Sequence, residues 1–101
     1  MIPGGHTDIM VAESAIQDKV TTELQQQVEA RLQKTFAIFN VTHYRRQTVA
    51  GIIWHFKINV GDDTSIHLRV FEPLPYTNKP MEIQALELKT SGDLLEIMAP
   101  S

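Results

Sequence analysis

The feature that most constrains this chain is a change of hydrophobic period near its middle. From Glu13 to about Thr35 there is neither glycine nor proline, and Ile16, Val20, Leu24, Val28, Leu32 and Phe36 recur at every fourth position. That spacing predicts one long helix with an apolar stripe on a core and its other face in water. Beyond it the period falls to two. Trp54, Phe56, Ile58 and Val60 alternate with His55, Lys57 and Asn59, and Ile66, Leu68 and Val70 alternate with His67 and Arg69. Such alternation predicts antiparallel strands with one dry face and one wet face. On this reading His55 and His67 are cross-strand neighbours on the polar face.

The turns divide the rest. Gly61-Asp62-Asp63 reads as a hairpin turn. The stretch from Pro73 to Pro80 holds three prolines and reads as a loop, since proline cannot donate to a central ladder. Met81 to Thr90 reads as a strand, and Ser91-Gly92-Asp93 turns into a last short strand, Leu94 to Met98. Residues 1–7, with Pro3 followed by Gly4 and Gly5, read as a flexible N-terminal trunk. The expected fold is α+β: a single domain over residues 1–101, with one long helix packed across a roughly five-stranded antiparallel sheet.

A meander places alternate loops at the same end. The loop around Thr48–Gly51 therefore shares an end with Pro73–Pro80. A helix of the expected length spans about 33 Å, which is expected to carry its beginning, and the trunk before it, back to that end. The uncharged segments Met1–Gly5, Thr48–Ile53 and Leu74-Pro75 then converge. The run Thr48-Val49-Ala50-Gly51-Ile52-Ile53-Trp54 is uncharged and β-prone, an aggregation hazard if it sits exposed to no purpose. A binding edge explains it better than an idle turn. Arg45-Arg46 reads as a charged bracket keeping that run soluble.

Composition excludes several functions. A chain of 101 residues buries about two-thirds of its unfolded surface, too little for a deep enclosed active site. The net charge of −3 offers no basic field for nucleic acid. There is no cysteine, so neither a disulfide nor a catalytic thiol is available. His6, His43, His55 and His67 lack metal-ligand spacing, and Asp62-Asp63 reads as a solvated turn. Ser14, Ser65 and Ser91 have no visible histidine and aspartate partners. The expectation is a protein that is not an enzyme, with no cofactor or metal and no nucleic-acid or membrane partner. The first residues lack the basic and apolar regions of a signal peptide, which points to the cytoplasm and leaves unconventional secretion open.

These residues resemble a known family. Gln47-Thr48-Val49-Ala50-Gly51 is similar to the Gln-Val-Val-Ala-Gly loop of the cystatins, Leu74-Pro75 matches the family's second hairpin, and Gly4 and Gly5 match the glycine of its N-terminal trunk. His67-Leu68-Arg69-Val70-Phe71 resembles the strand leading to the second hairpin. Length and the absence of cysteine point to the stefin branch, and the resemblance covers nearly the whole chain. It implies a cystatin-like fold and reversible inhibition of papain-like, cathepsin-type cysteine proteases. In that mechanism a wedge fills the active-site cleft without offering a bond to cut. Ile2 and Pro3 would fill non-primed subsites, and Gly4 and Gly5 would let the backbone pass the thiol. Gln47, Thr48, Val49, Ala50 and Gly51 would form the first hairpin, and Leu74 and Pro75 the second. A cystatin-fold binding module without inhibitory activity is the alternative. The expected state is a monomer, with a domain-swapped dimer formed by opening the first hairpin as a second state. Three departures bear on target preference: Thr48 replaces the family's usual valine, Leu86 stands where a tyrosine is common, and the C-terminus lacks the usual aromatic.

Overall fold

The computed structural model describes residues 7–100. In them one helix, α1 (Ser14–Leu32), lies against an antiparallel sheet of β1 (Met10–Val11), β2 (Asn40–Val49), β3 (Gly51–Gly61), β4 (Thr64–Glu72) and β5 (Glu82–Thr90), ordered β1-β2-β3-β4-β5. The cystatin-like α+β architecture expected from the sequence is therefore present. Val20, Leu24 and Val28 of α1 are wholly buried and share a core with Phe56, Ile58, Ile66, Leu68 and Val70, while Ile16, Leu32 and Phe36 pack at its rim. Each such buried aliphatic or aromatic side chain stabilises the fold by about 1.5–3 kcal/mol. The β3–β4 hairpin closes through Asp62 and Asp63, whose φ values of 54° and 56° suit the twist of the flanking strands.

The helix stops at Leu32, short of Thr35. Gln33 turns left-handed at φ 52°, and its amide returns to the Glu29 carbonyl. The Glu29 carboxylate then accepts the Phe36 amide at 2.8 Å, fixing the chain reversal.

The direction of the helix differs from the expectation. Gln17 donates to the Phe39 carbonyl at 2.9 Å and accepts the Val41 amide, beside the start of β2. Arg31 reaches the Ile83 carbonyl in β5 at 3.2 Å. The helix thus crosses the strands instead of running along them, and its length does not return the chain to the Val49 end. β1 does that work. Met10 pairs with Tyr44 and Val11 with His43, and the Thr7 amide donates to the Arg46 carbonyl at 2.9 Å. Antiparallel to β2, the chain at Thr7 is heading for Val49. Arg45 Nε also donates to the Thr7 carbonyl at 3.0 Å, so Thr7, the last residue of the expected trunk, is tied to β2 by hydrogen bonds.

The membership of the sheet is a second correction. Leu94–Met98 is not a strand; the fifth strand is β1. The C-terminal segment instead covers the outer face of the sheet, with Leu95 and Met98 buried. Lys57 Nζ donates to the carbonyls of Ser91 and Asp93 at 2.7 and 2.8 Å, and Arg69 donates to that of Met98 at 2.6 Å. His55 Nε2 accepts the Met98 amide at 2.8 Å. The face expected to be wet is therefore roofed, and His55 and His67 are 0% and 2% exposed. Nor are they opposite each other, since His55 pairs with Arg69 and His67 with Lys57.

This roof makes stability depend on acid. Burial, and then the nearby charges of Lys57 and Lys89, hold the His67 imidazole below its ordinary pKa, against weaker opposing pulls from Asp93 and Glu87. The unfolded chain therefore binds the proton more readily than the fold. The stability from neutral His67 is complete above the ordinary histidine value of about 6.5 and is lost as pH falls through the lowered folded value. Asp93 is held below the usual carboxylate range by the Thr90 amide and hydroxyl, so its own loss comes at more acid pH. Urea melts between about pH 7 and pH 5 should show falling stability, with a slope for one proton of at most about 1.4 kcal/mol per pH unit. His67→Gln should flatten that slope, and a parent chain with no slope in this window would contradict the assignment. Among the described residues no helix is long and apolar enough to cross a membrane.

Candidate functional site

The β2–β3 connection is as short as a hairpin allows. Val49 pairs with Gly51, leaving Ala50 alone at the tip. Gly51 sits at φ +121°, and a Cβ there would lie 2.5 Å from the Glu72 carbonyl oxygen and 2.9 Å from the Phe71 ring. Only glycine suits both that backbone and that space. Gly51 is accordingly buried and shapes the tip, while Thr48, Val49 and Ala50 are exposed. Gln47 lies further down the strand, half-buried opposite Ile53.

The β4–β5 connection leaves the sheet at Glu72, the partner of Ile52. Pro73 and Leu74 are half-buried; Pro75 opens a single 3-10 turn, Pro75–Thr77. The Leu74 carbonyl accepts the Thr77 amide at 3.0 Å and the Thr77 hydroxyl at 2.7 Å, which fixes where Leu74-Pro75 sits. Tyr76 stands out, 79% exposed. A groove of about 650 Å³ joins the two connections, lined by Ala50, Phe71, Pro73, Leu74, Tyr76 and Met81, with Gln27 and Arg31 of α1 along its side.

The structure thus brings Thr48, Val49, Ala50 and Gly51 beside Leu74 and Pro75 at one end of the sheet. Ile2, Pro3, Gly4 and Gly5 lie outside the described residues. Sequence reasoning missed Phe71, Tyr76 and Glu72. Phe71 did leave a signal, being apolar but out of phase with Ile66, Leu68 and Val70. Arg45 and Arg46 do more than bracket the apolar run: Arg46 lies over the Trp54 ring at 4.9 Å, and Arg45 also donates to the Leu95 carbonyl at 3.3 Å. The edge formed by Thr48-Val49-Ala50 with half-buried Leu74 and exposed Pro75 carries no titratable side chain. What such an edge can offer chemically is apolar surface available for burial.

A helix laid across a five-stranded antiparallel sheet, with a Gln-x-Val-Ala-Gly hairpin beside a Leu-Pro turn, defines a cystatin-type protein. A cystatin domain profile matches residues 4–91. Cystatin-A1 of Sus scrofa is 40% identical over 96 residues, covering 94% of this chain and 92% of the relative. Stefin-C of Bos taurus is 34% identical over 84 residues, covering 83% and 82%. A Sus scrofa protein named leukocyte cysteine proteinase inhibitor 1 is 33% identical over 96 residues, covering 94% and 92%. The chain belongs to the cystatin family, and within it to the stefin type.

Proposed function

We propose that this chain is a reversible, tight-binding inhibitor of papain-like cysteine proteases of the cathepsin type, acting as a wedge in the active-site cleft. The observation that carries the reading is the placement of Val49-Ala50-Gly51 beside Leu74-Pro75, with Thr7 heading for the same end of the sheet. A ridge fixed by hydrogen bonds and by Gly51 loses little freedom on binding, so most of its apolar burial appears as affinity. The two hairpins cover the primed side of the cleft: Val49, Ala50 and Gly51 give close backbone approach, and Leu74 and Pro75 supply apolar area. No peptide bond is offered to the thiol, so the chain is not consumed and does not act as an enzyme. Residues 1–101 act as one cystatin-like domain and bind as a monomer. A chain without cysteine can fold in a reducing compartment, and a cytoplasmic location is part of the proposal.

The class of target tests the reading. Papain should lose its activity at near-equimolar inhibitor, while trypsin, which needs a substrate-like loop, should keep its own. Full papain activity beside micromolar chain would leave only a cystatin-fold module for some other partner.

The trunk is assigned to the non-primed subsites through Ile2 and Pro3, with Gly4 and Gly5 passing the thiol. Among the described residues the first sheet contact is made by Thr7, which removal of residues 1–4 leaves in place, so the melting temperature should be unchanged. Dissociation from papain should become roughly tenfold faster or more, with association little altered. A truncated chain that dissociates as slowly as the parent would remove the trunk from the wedge.

A further inference from the structure

Both hairpins of the wedge are rooted on a residue that the proposed contacts do not include. Glu72 is the last residue of β4, directly before Pro73-Leu74-Pro75, and its backbone pairs with Ile52 of the first hairpin. Its carbonyl oxygen is the atom that a side chain on Gly51 would strike. One carboxylate oxygen accepts the Trp54 indole N–H at 3.0 Å, and the other accepts Lys19 Nζ of α1 at 2.6 Å. Trp54 is buried on β3, held between the Arg46 guanidinium at 4.9 Å and the Phe56 ring at 5.3 Å. A buried indole N–H needs an acceptor, and Glu72 provides it. The side chain therefore ties the helix, the first hairpin and the root of the second to one point.

We infer that Glu72 is a positioning residue for inhibition: through Trp54 and Lys19 it sets the separation of the two hairpins, and so the width of the wedge. The inference rests on the proposed inhibitory reading. The Glu72 carboxylate is engaged by Trp54 and Lys19. A wedge with the wrong width still meets the cleft but seats badly, so the loss belongs in dissociation and not in association. The acceptor for Trp54 is the part that matters. Glu72→Gln keeps it, whereas Glu72→Ala removes it and leaves the indole N–H without its carboxylate.

The test measures association and dissociation of papain for the parent, Glu72→Ala and Glu72→Gln. The single tryptophan gives one indole proton, whose exchange reports the anchor directly. Glu72→Ala should dissociate at least fivefold faster with association unchanged, and its indole proton should exchange faster. Glu72→Gln should stay within fivefold of the parent on both counts. Ile66→Val, at the far end of the β3–β4 hairpin, serves as a control that loses thermal stability without touching the anchor, and its dissociation should not change. Dissociation of Glu72→Ala within fivefold of the parent overturns the inference, as does a Glu72→Gln chain as impaired as Glu72→Ala, or an Ile66→Val control as impaired as either. Should Glu72→Ala not fold, Trp54→Phe carries the test, since it keeps a buried ring and removes the N–H that Glu72 accepts: faster dissociation supports the inference and unchanged dissociation overturns it. A parent chain that leaves papain fully active refutes the inhibitory reading itself, a result distinct from all of these.

Discussion

Gly51→Ala is expected to destabilise the fold by about 3 kcal/mol, a large fraction of the stability of a domain this size. Two independent penalties meet at this position. The backbone stands at φ +121°, where a side chain is strained, and the new methyl would sit 2.5 Å from the Glu72 carbonyl oxygen, which cannot move without disturbing β4. The melting temperature should fall by roughly 10 °C or more. The strain belongs to the closed turn, and opening Val49-Ala50-Gly51 into one continuous strand relieves it. Thr48, Val49, Ile52 and Ile53 are all β-branched and favour that extended form. The proposed domain-swapped dimer, in which α1 and β2 pack on a second copy, should therefore form faster from Gly51→Ala on mild heating. Size exclusion after incubation just below the melting temperature measures it. The swapped dimer lacks the first hairpin and should not inhibit papain. A Gly51→Ala chain as stable and as monomeric as the parent would mean that the tight turn is not strained by a side chain.

Val49→Asp should have the largest effect on binding with the least effect on folding. Val49 is 40% exposed at the end of β2, so an aspartate there stays hydrated in the free chain. In the cleft the carboxylate would lose its water without gaining a partner. The expected loss is about 3 kcal/mol or more, over a hundredfold in Kd. Thr48→Val provides the contrast. The Thr48 side chain is exposed, and removing its hydroxyl is a near-isosteric change expected to alter affinity by less than about 1.5 kcal/mol. Progress curves with papain for the two variants decide the matter. Equal effects from both would mean that this hairpin stays outside the cleft.

The legible parts of this protein were those with a period. The fourfold recurrence from Ile16 to Leu32 and the alternation along Trp54–Val60 and Ile66–Val70 place α1, β3 and β4, because a regular backbone turns sequence spacing directly into a face. β1 has no such signature: Met10-Val11 is two residues long, and only its pairing with Tyr44 and His43 makes it a strand. The roof over His55 and His67 was hidden for the opposite reason. Their alternation with apolar residues is that of a solvated face, and nothing local announces that Leu95 and Met98 return to cover it. The side-by-side hairpins were readable because a meander fixes which loops share an end. The expectation that the helix length carries the chain back to that end fails because α1 crosses the sheet; among the described residues it is β1 and Thr7 that run alongside β2. The anchor at Glu72 was not readable, for it depends on Trp54 and Lys19 meeting from two other elements.

The most direct measurement of the central claim is a tight-binding titration of active-site-counted papain, followed by dilution and mass analysis of the inhibitor. Activity should fall linearly to an end point of one chain per active site, return on dilution as the complex dissociates, and leave the chain at its full mass. Papain that stays active past the equimolar point, or a chain recovered cut within Thr48–Gly51 or at Leu74-Pro75, would contradict a wedge that fills the cleft without presenting a bond to the thiol.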